Sequence, residues 1–237
     1  MITAQVDHLV VMAASLDQGV TWCQETLGIT PGPGGEHPLM GTHNRLFSIA
    51  SPAFPHAYFE IIAIQPGVTP TRAPGKHRWF DMDDPLLQSR VVNEGPQLLH
   101  FVASVPGVVS AVKALAAQGL DRGAVVAASR QTTAGLLSWR ITVRDDGQRL
   151  FYGTLPTLIQ WGEAGEDPAQ AAHPLHAMPA SGVTLEALQA SHPRPEKLQA
   201  AYAAIGLAGV GVSPGTPNLI ATLNTPRGRV MLESKGV

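Results

Sequence analysis

Apolar and polar positions along this chain of 237 residues alternate in two rhythms that recur in the same order. Residues 6–11 form a short β-rich apolar run around His8. Ser15, Leu16 and Asp17 then supply helix-start chemistry, Val20, Cys23 and Leu27 follow at helical spacing, and Gly28 stops the helix. A Pro/Gly loop at 31–35 leads into predicted strands at 45–50 and 58–64, separated by a turn with Pro52 and Pro55. After a loop over 66–95 the pattern restarts: a strand at 98–104 carrying His100, then a helix at 106–118. Val109, Val112, Leu115 and Ala116 are predicted on one face of that helix, and Gly119 closes it. Strands at 125–129, 138–143 and 157–161 complete the second copy.

The closing glycines follow their histidines by 20 and 19 residues, which marks a duplication. Each copy opens on a strand with a histidine, His8 or His100, and ends on one with a metal-capable oxygen, Glu60 or Gln160. The second copy is longer, which predicts loop insertions around 132–135 and 145–147. The tail reads as a third unit: a strand at 183–190, a helix at 195–205 closed by Gly206, and strands at 219–224 and 230–233. The expected organisation is a first βαβββ module at 1–66, a connecting loop at 67–96, and a second module at 97–164. A linker at 165–181 and a C-terminal βαβββ-like unit at 182–237 follow. The predicted fold class is α+β, with tandem modules forming a mixed-sheet cup. The third unit's sheet is expected to extend the cup's edge or to pair with its copy in a homodimer.

Composition narrows the function classes. Apolar residues make up 44% of the chain and charged residues 14%, enough for a substantial core. The net charge of −2, without a basic run, argues against nucleic acid. The single cysteine, Cys23, is read as a buried thiol in a reducing compartment. Neither a signal peptide nor a membrane span is read, so a cytoplasmic protein is expected. Motifs for phosphate loops, nucleophile elbows and zinc proteases are missing, and the Gly-rich strings at 31–35 and 209–215 are read as loops.

Alternation along the strands sharpens the candidate chemistry. His8 shares a face with Val6 and Val10; Glu60 shares one with Tyr58, Ile62 and Ile64. Phe59, Ile61 and Ala63 are left to pack on helices. A carboxylate among apolar neighbours needs a partner, supplied by a metal ion, an arginine or backbone groups.

These repeats resemble the vicinal oxygen chelate superfamily, and in it the glyoxalase-like domain proteins. The resemblance is carried by Asp7-His8-Leu9-Val10, His37-Pro38, Gly41-Thr42-His43-Asn44 and Tyr58-Phe59-Glu60-Ile61-Ile62, with later pieces around Arg78, Arg130, Trp139 and residues 155–162. It implies paired modules whose curved sheets enclose a divalent metal ion (Ni, Zn, Mn or Fe). By position the ligands are His8, Glu60, His100 and Gln160. Gln160 departs from the pattern, because a carboxylate is more usual there. The implied activity is that of a metal-dependent lyase or isomerase acting on a small polar substrate through adjacent oxygens. Glu60 would be the catalytic carboxylate, and His37, Thr42, Asn44 and Arg130 would bind substrate. Two alternatives stay open: a metal-free binding protein using the same cup, and an Fe(II) extradiol-type dioxygenase. Glu186 and Glu233 of the third unit are read as surface or interface charges.

Overall fold

The computed structural model describes residues 2–132, 135–162 and 171–236. The first module runs β1 (Gln5–Met12), α1 (Leu16–Thr26), β2 (Glu36–His37), β3 (Thr42–Ser48) and β4 (Tyr58–Ile64). The second runs β5 (Gln97–Ser104), α3 (Val108–Ala116), β6 (Ala124–Thr132), β7 (Gly135–Val143) and β8 (Thr157–Trp161), preceded by α2 (Pro85–Glu94). Their strands join in one mixed sheet of order β2-β3-β4-β1-β5-β8-β7-β6, which curls so that its two edges approach. The seam between modules is the antiparallel β1–β5 pair, and β1–β4 and β5–β8 are parallel.

Local chemistry explains these elements. The Ser15 side chain accepts from the Gln18 amide, capping α1 as its type predicts. Cys23, fully buried on α1, packs with Leu27 and Phe59. Leu9, Val11, Phe59, Ile61, Phe101 and Leu158 form the outer face of the sheet and pack on α1 and α3. Truncating a side chain such as Phe59 there costs about 3–5 kcal/mol.

The structure departs from the predicted elements in three places. The segment at 66–95 is more than a connection: its α2 is capped by Asp84 and opened by Pro85. Trp79, Phe80 and Met82 from it fill the cup together with Leu87 and Val91 of α2. Phe80 and Asp81 hold left-handed backbone (φ 59° and 57°), and Arg149 fixes that turn through Asp81, Nε to Oδ2 2.8 Å. On α3 the buried face is Val108, Ala111 and Leu115, while Val109 is exposed, a rotation of one position from the predicted face. The string at 209–215 contains a strand, β10 (Val210–Pro214). The expected insertion at 132–135 and the linker include residues outside those described.

The C-terminal unit has β9 (Thr184–His192), α4 (Pro195–Ile205), β10, β11 (Asn218–Thr225) and β12 (Gly228–Glu233). Its element order repeats that of the modules, but its sheet order does not. Strand β9 lies between β10 and β11, whereas β1 is followed outward by β4, β3 and β2. This sheet is separate and does not extend the cup's edge. Leu185, Leu188, Leu219 and Leu223 join the outer core of the modules with Leu198 and Ile205 of α4. Its apolar face is therefore covered within the same chain. Glu186 lies on the surface and pairs with Arg229 at 2.9 Å.

Candidate active site

A pocket opens at one end of the cup, between the first module's β1, β3 and β4 and the second's β6, β7 and β8. Its non-atom space, with the open mouth included, is about 420 Å³. His8, Glu60, Asn44 and Arg130 give it a polar side, and Trp79, Phe80, Trp139 and Trp161 give it aromatic walls.

A local irregularity builds the polar side. The β1–β5 register shifts between Val6 and His8, so Asp7 is an extra residue in the ladder. Such a bulge re-aims a side chain that strict alternation would send to the opposite face. Asp7 is buried and accepts from His8 Nδ1 at 2.7 Å, from Trp161 Nε1 at 2.8 Å and from His173 Nε2 at 3.2 Å. A carboxylate only accepts, so Nδ1 of His8 carries a hydrogen and Nε2 is turned toward the pocket. That Nε2 lies 3.6 Å from Glu60 Oε2. The other oxygen of Glu60 accepts from Asn44 Nδ2 at 2.6 Å, and Asn44 Oδ1 accepts from the Gly35 amide at 2.8 Å.

The Gly-rich loop makes this approach possible. A Cβ on Gly34 would stand 2.1 Å from the Asn44 carbonyl oxygen, and one on Gly35 would stand 2.3 Å from Arg130 Nη1. The loop can press on Asn44 and Arg130 only because both positions are bare. Tyr58 stacks on His8 with ring centroids 4.5 Å apart.

Electrostatics follow from burial. Burial alone would raise the Asp7 carboxyl, but hydrogen bonds from His173 and His8 outweigh it and hold the group well below the usual range. Burial first, and then the Arg130 guanidinium, push His37 down to about 3, so it is neutral. Burial, with Asp7 and Glu60 nearby, pushes the Tyr58 phenol well above its ordinary value.

The positions expected to hold a metal are not brought together. His8 and Glu60 meet, as described. His100 pairs across the seam with Val10 on the cup side, next to a second register shift. Both of its ring nitrogens are occupied: Nδ1 meets the Gly153 carbonyl oxygen at 2.7 Å, and Nε2 accepts from the Thr157 amide at 2.9 Å. Burial, and then Arg122, keep its pKa well below the ordinary value. Gln160 lies on the opposite face of β8, where its Oε1 accepts from Val108 N at the start of α3. The cup-facing residues of β8 are Ile159 and Trp161. Among the described residues no three His, Cys, Asp or Glu side chains converge as a metal site, so the donor set does not fit an ion as it stands.

Of the expected substrate-binding residues, His37, Asn44 and Arg130 line the pocket. Thr42 instead stands behind His37, Oγ1 to Nδ1 3.1 Å.

A family model for the glyoxalase-like domain matches residues 6–206. The chain belongs to the glyoxalase-like domain family. It is thereby a member of the vicinal oxygen chelate superfamily. No curated protein matches it. Among solved structures it is similar to a hypothetical protein from Staphylococcus aureus, with TM-score 0.58, 12% identity, and 97% of this chain and 85% of that one covered. It is also similar to methylmalonyl-CoA epimerase from Mycobacterium tuberculosis, with TM-score 0.37, 16% identity, and 68% and 88% covered. The Streptomyces coelicolor epimerase, solved with 2-nitronate-propionyl-CoA, gives TM-score 0.38, 14% identity, and 70% and 100% covered. At these identities the likeness speaks for fold alone.

Within this glyoxalase-like domain, sequence reasoning missed Asp7, Tyr58 and His173 as parts of the site. The adjacent acidic and imidazole side chains at 7 and 8 were visible, but alternation assigned them to opposite faces. Nothing in the pattern linked His173, far along the chain, to β1.

Proposed function

We propose that this protein is an isomerase- or lyase-type enzyme that moves a proton on a carbon next to a carbonyl in a small polar substrate. The observation that carries this reading is the buried chain Asp7–His8–Glu60, which ends at the pocket. Asp7 fixes the tautomer and orientation of His8 and balances an imidazolium. Asn44 holds one oxygen of Glu60 and leaves Oε2 beside His8 Nε2. In the forward step the Glu60 carboxylate takes the proton from carbon, and the imidazolium of His8 gives its Nε2 proton to the carbonyl oxygen. The enol so formed is reprotonated at carbon by the Glu60 carboxylic acid while His8 recovers its proton. The neutral His37 and the aromatic walls exclude water from these charges.

Of the four ligand positions that the superfamily implies for a divalent ion, His8 and Glu60 reach this pocket, and no step is routed through the ion. The test is proton exchange in D2O, followed by NMR, across a panel of small 2-hydroxy and 2-oxo carbonyl compounds. Exchange at the carbon next to the carbonyl is expected to persist after chelator treatment and to disappear in Glu60→Gln. If chelation abolishes exchange and Ni, Zn, Mn or Fe restores it, the metal-dependent reading replaces this one. If no compound exchanges but some raise the melting temperature, the protein is a binding protein of the same fold.

A further inference from the structure

Buried polar atoms without partners indicate what a pocket is waiting for. Two side chains on this pocket wall have them: Arg130, through Nε and Nη1, and Trp79, through the indole Nε1. All three are donors; guanidinium and indole have no accepting atom. Arg130 extends from β6, one edge of the sheet, to Gly35 beside β2, the other edge, so its cation closes the seam over the pocket. Among the described residues it makes no ion pair. Guanidinium nitrogens held out of water without an acceptor or counter-charge are costly, as Nε and Nη1 of the half-buried Arg130 are, and so is an indole N–H without an acceptor. A ligand that satisfies all three must bring acceptor oxygens and negative charge. Across from the polar side of His8, Glu60 and Asn44, the wall is apolar and partly flat: Trp139, Trp161, Leu137 and Ile159.

We propose that the pocket takes a small organic carboxylate with a flat apolar body, its carboxylate on Arg130 and Trp79 and its body against the wall that Trp139 and Trp161 form together. This deepens the reading above, on which it rests only for the reacting end at Glu60 and His8. The guanidinium fork matches the two carboxylate oxygens, which makes Arg130 the anchor that sets orientation and specificity.

Calorimetric titration with phenylacetate and its neutral isostere phenylacetamide tests the proposal. The acid is expected to bind at least about tenfold more tightly than the amide, the scale of one charge-assisted hydrogen bond. Arg130→Met should weaken phenylacetate at least about tenfold and leave phenylacetamide within about twofold; Arg130→Lys, which keeps charge but loses the fork, should fall between. Trp79→Phe should weaken the acid by a smaller factor. Glu60→Gln should bind the acid as the native protein does while losing exchange, which separates the anchor from the proton chemistry. Equal binding of acid and amide, no binding of the acid at about 10 mM, or an Arg130→Met protein that binds it unchanged overturns the proposal. A melting curve shows whether each variant is folded, and Arg130→Gln serves in place of Arg130→Met if that one is not.

Discussion

His8 and His100 occupy corresponding places in two copies of one motif, yet the fold uses them in opposite ways. His8 has one nitrogen on Asp7 and the other turned to Glu60 at the pocket. His100 has both nitrogens committed to backbone groups, between Gly153 and Thr157, beneath Phe80. The closing residues diverge likewise: Glu60 faces the cup and Gln160 caps a helix on the far side. Duplication has preserved the frame while each half took a different task. The first half supplies titratable groups; the second supplies Arg130 and the Trp139 and Trp161 walls.

The largest expected contrast is in rate. Glu60→Gln keeps the shape of the side chain and removes the base, so exchange should fall by about 10²- to 10⁴-fold with little change in melting temperature. Gln160→Ala should leave the rate within about twofold and cost about 1–2 kcal/mol of stability, because Val108 N loses its acceptor at the start of α3. Equal rate losses in both variants, measured by the same NMR exchange assay, would remove the asymmetry between the halves.

Stability should show the reverse order. His100→Ala strands the Gly153 carbonyl and the Thr157 amide in the core and opens a void, at a cost of about 3 kcal/mol in urea unfolding. His8→Ala leaves Asp7 bonded to Trp161 and His173, so about 1 kcal/mol is expected. Acid should act through the buried neutral histidines. His37 and His100 have folded pKa values below the ordinary value of 6.5, so in that range the unfolded chain binds the extra protons. Their contribution is complete above about pH 6.5 and is lost as pH falls toward the folded values. The slope is at most about 1.4 kcal/mol per pH unit for each histidine. His100→Asn and His37→Gln should each flatten the stability profile between about pH 6.5 and 4; an unchanged profile would mean that these rings are protonated in the fold.

The frame was legible because it rests on periodicities. The Tyr58–Ile64 strand alternates Glu60 and Ile62 inward with Phe59 and Ile61 outward, as read, and α4 begins at Pro195 and ends on Gly206 as its caps predict. The site was legible only where alternation holds. It failed at Asp7, where one extra residue in a ladder turned a side chain over, and at α2, where the buried Leu87 and Val91 stand beside exposed Leu86 and Val92 and the helical period is blurred. The third unit read as a further copy because element order is written in the sequence. Which strands pair is decided by packing, and there β9 took a different neighbour than β1 did.

The smallest effect separates two arginines of the second half, the buried Arg122 and the half-buried Arg130. Arg122 donates Nη2 to Thr157 Oγ1 at 2.6 Å, beneath the His100 cluster, and burial lowers it to about 10. Its Nε and Nη1 are also without partners, but it is not on the pocket wall. Unpaired donors alone therefore do not distinguish an anchor from a strut; position does. Arg130→Met removes a cation with no bond to lose, so the ligand-free protein should gain about 1 kcal/mol. Arg122→Met takes away a hydrogen bond that supports Thr157 and should lose about as much. Phenylacetate should then raise the melting temperature of the native and Arg122→Met proteins alike and leave Arg130→Met unmoved. A rise in all three would mean that the acid is held by the walls and that Arg130, like Arg122, only braces the fold.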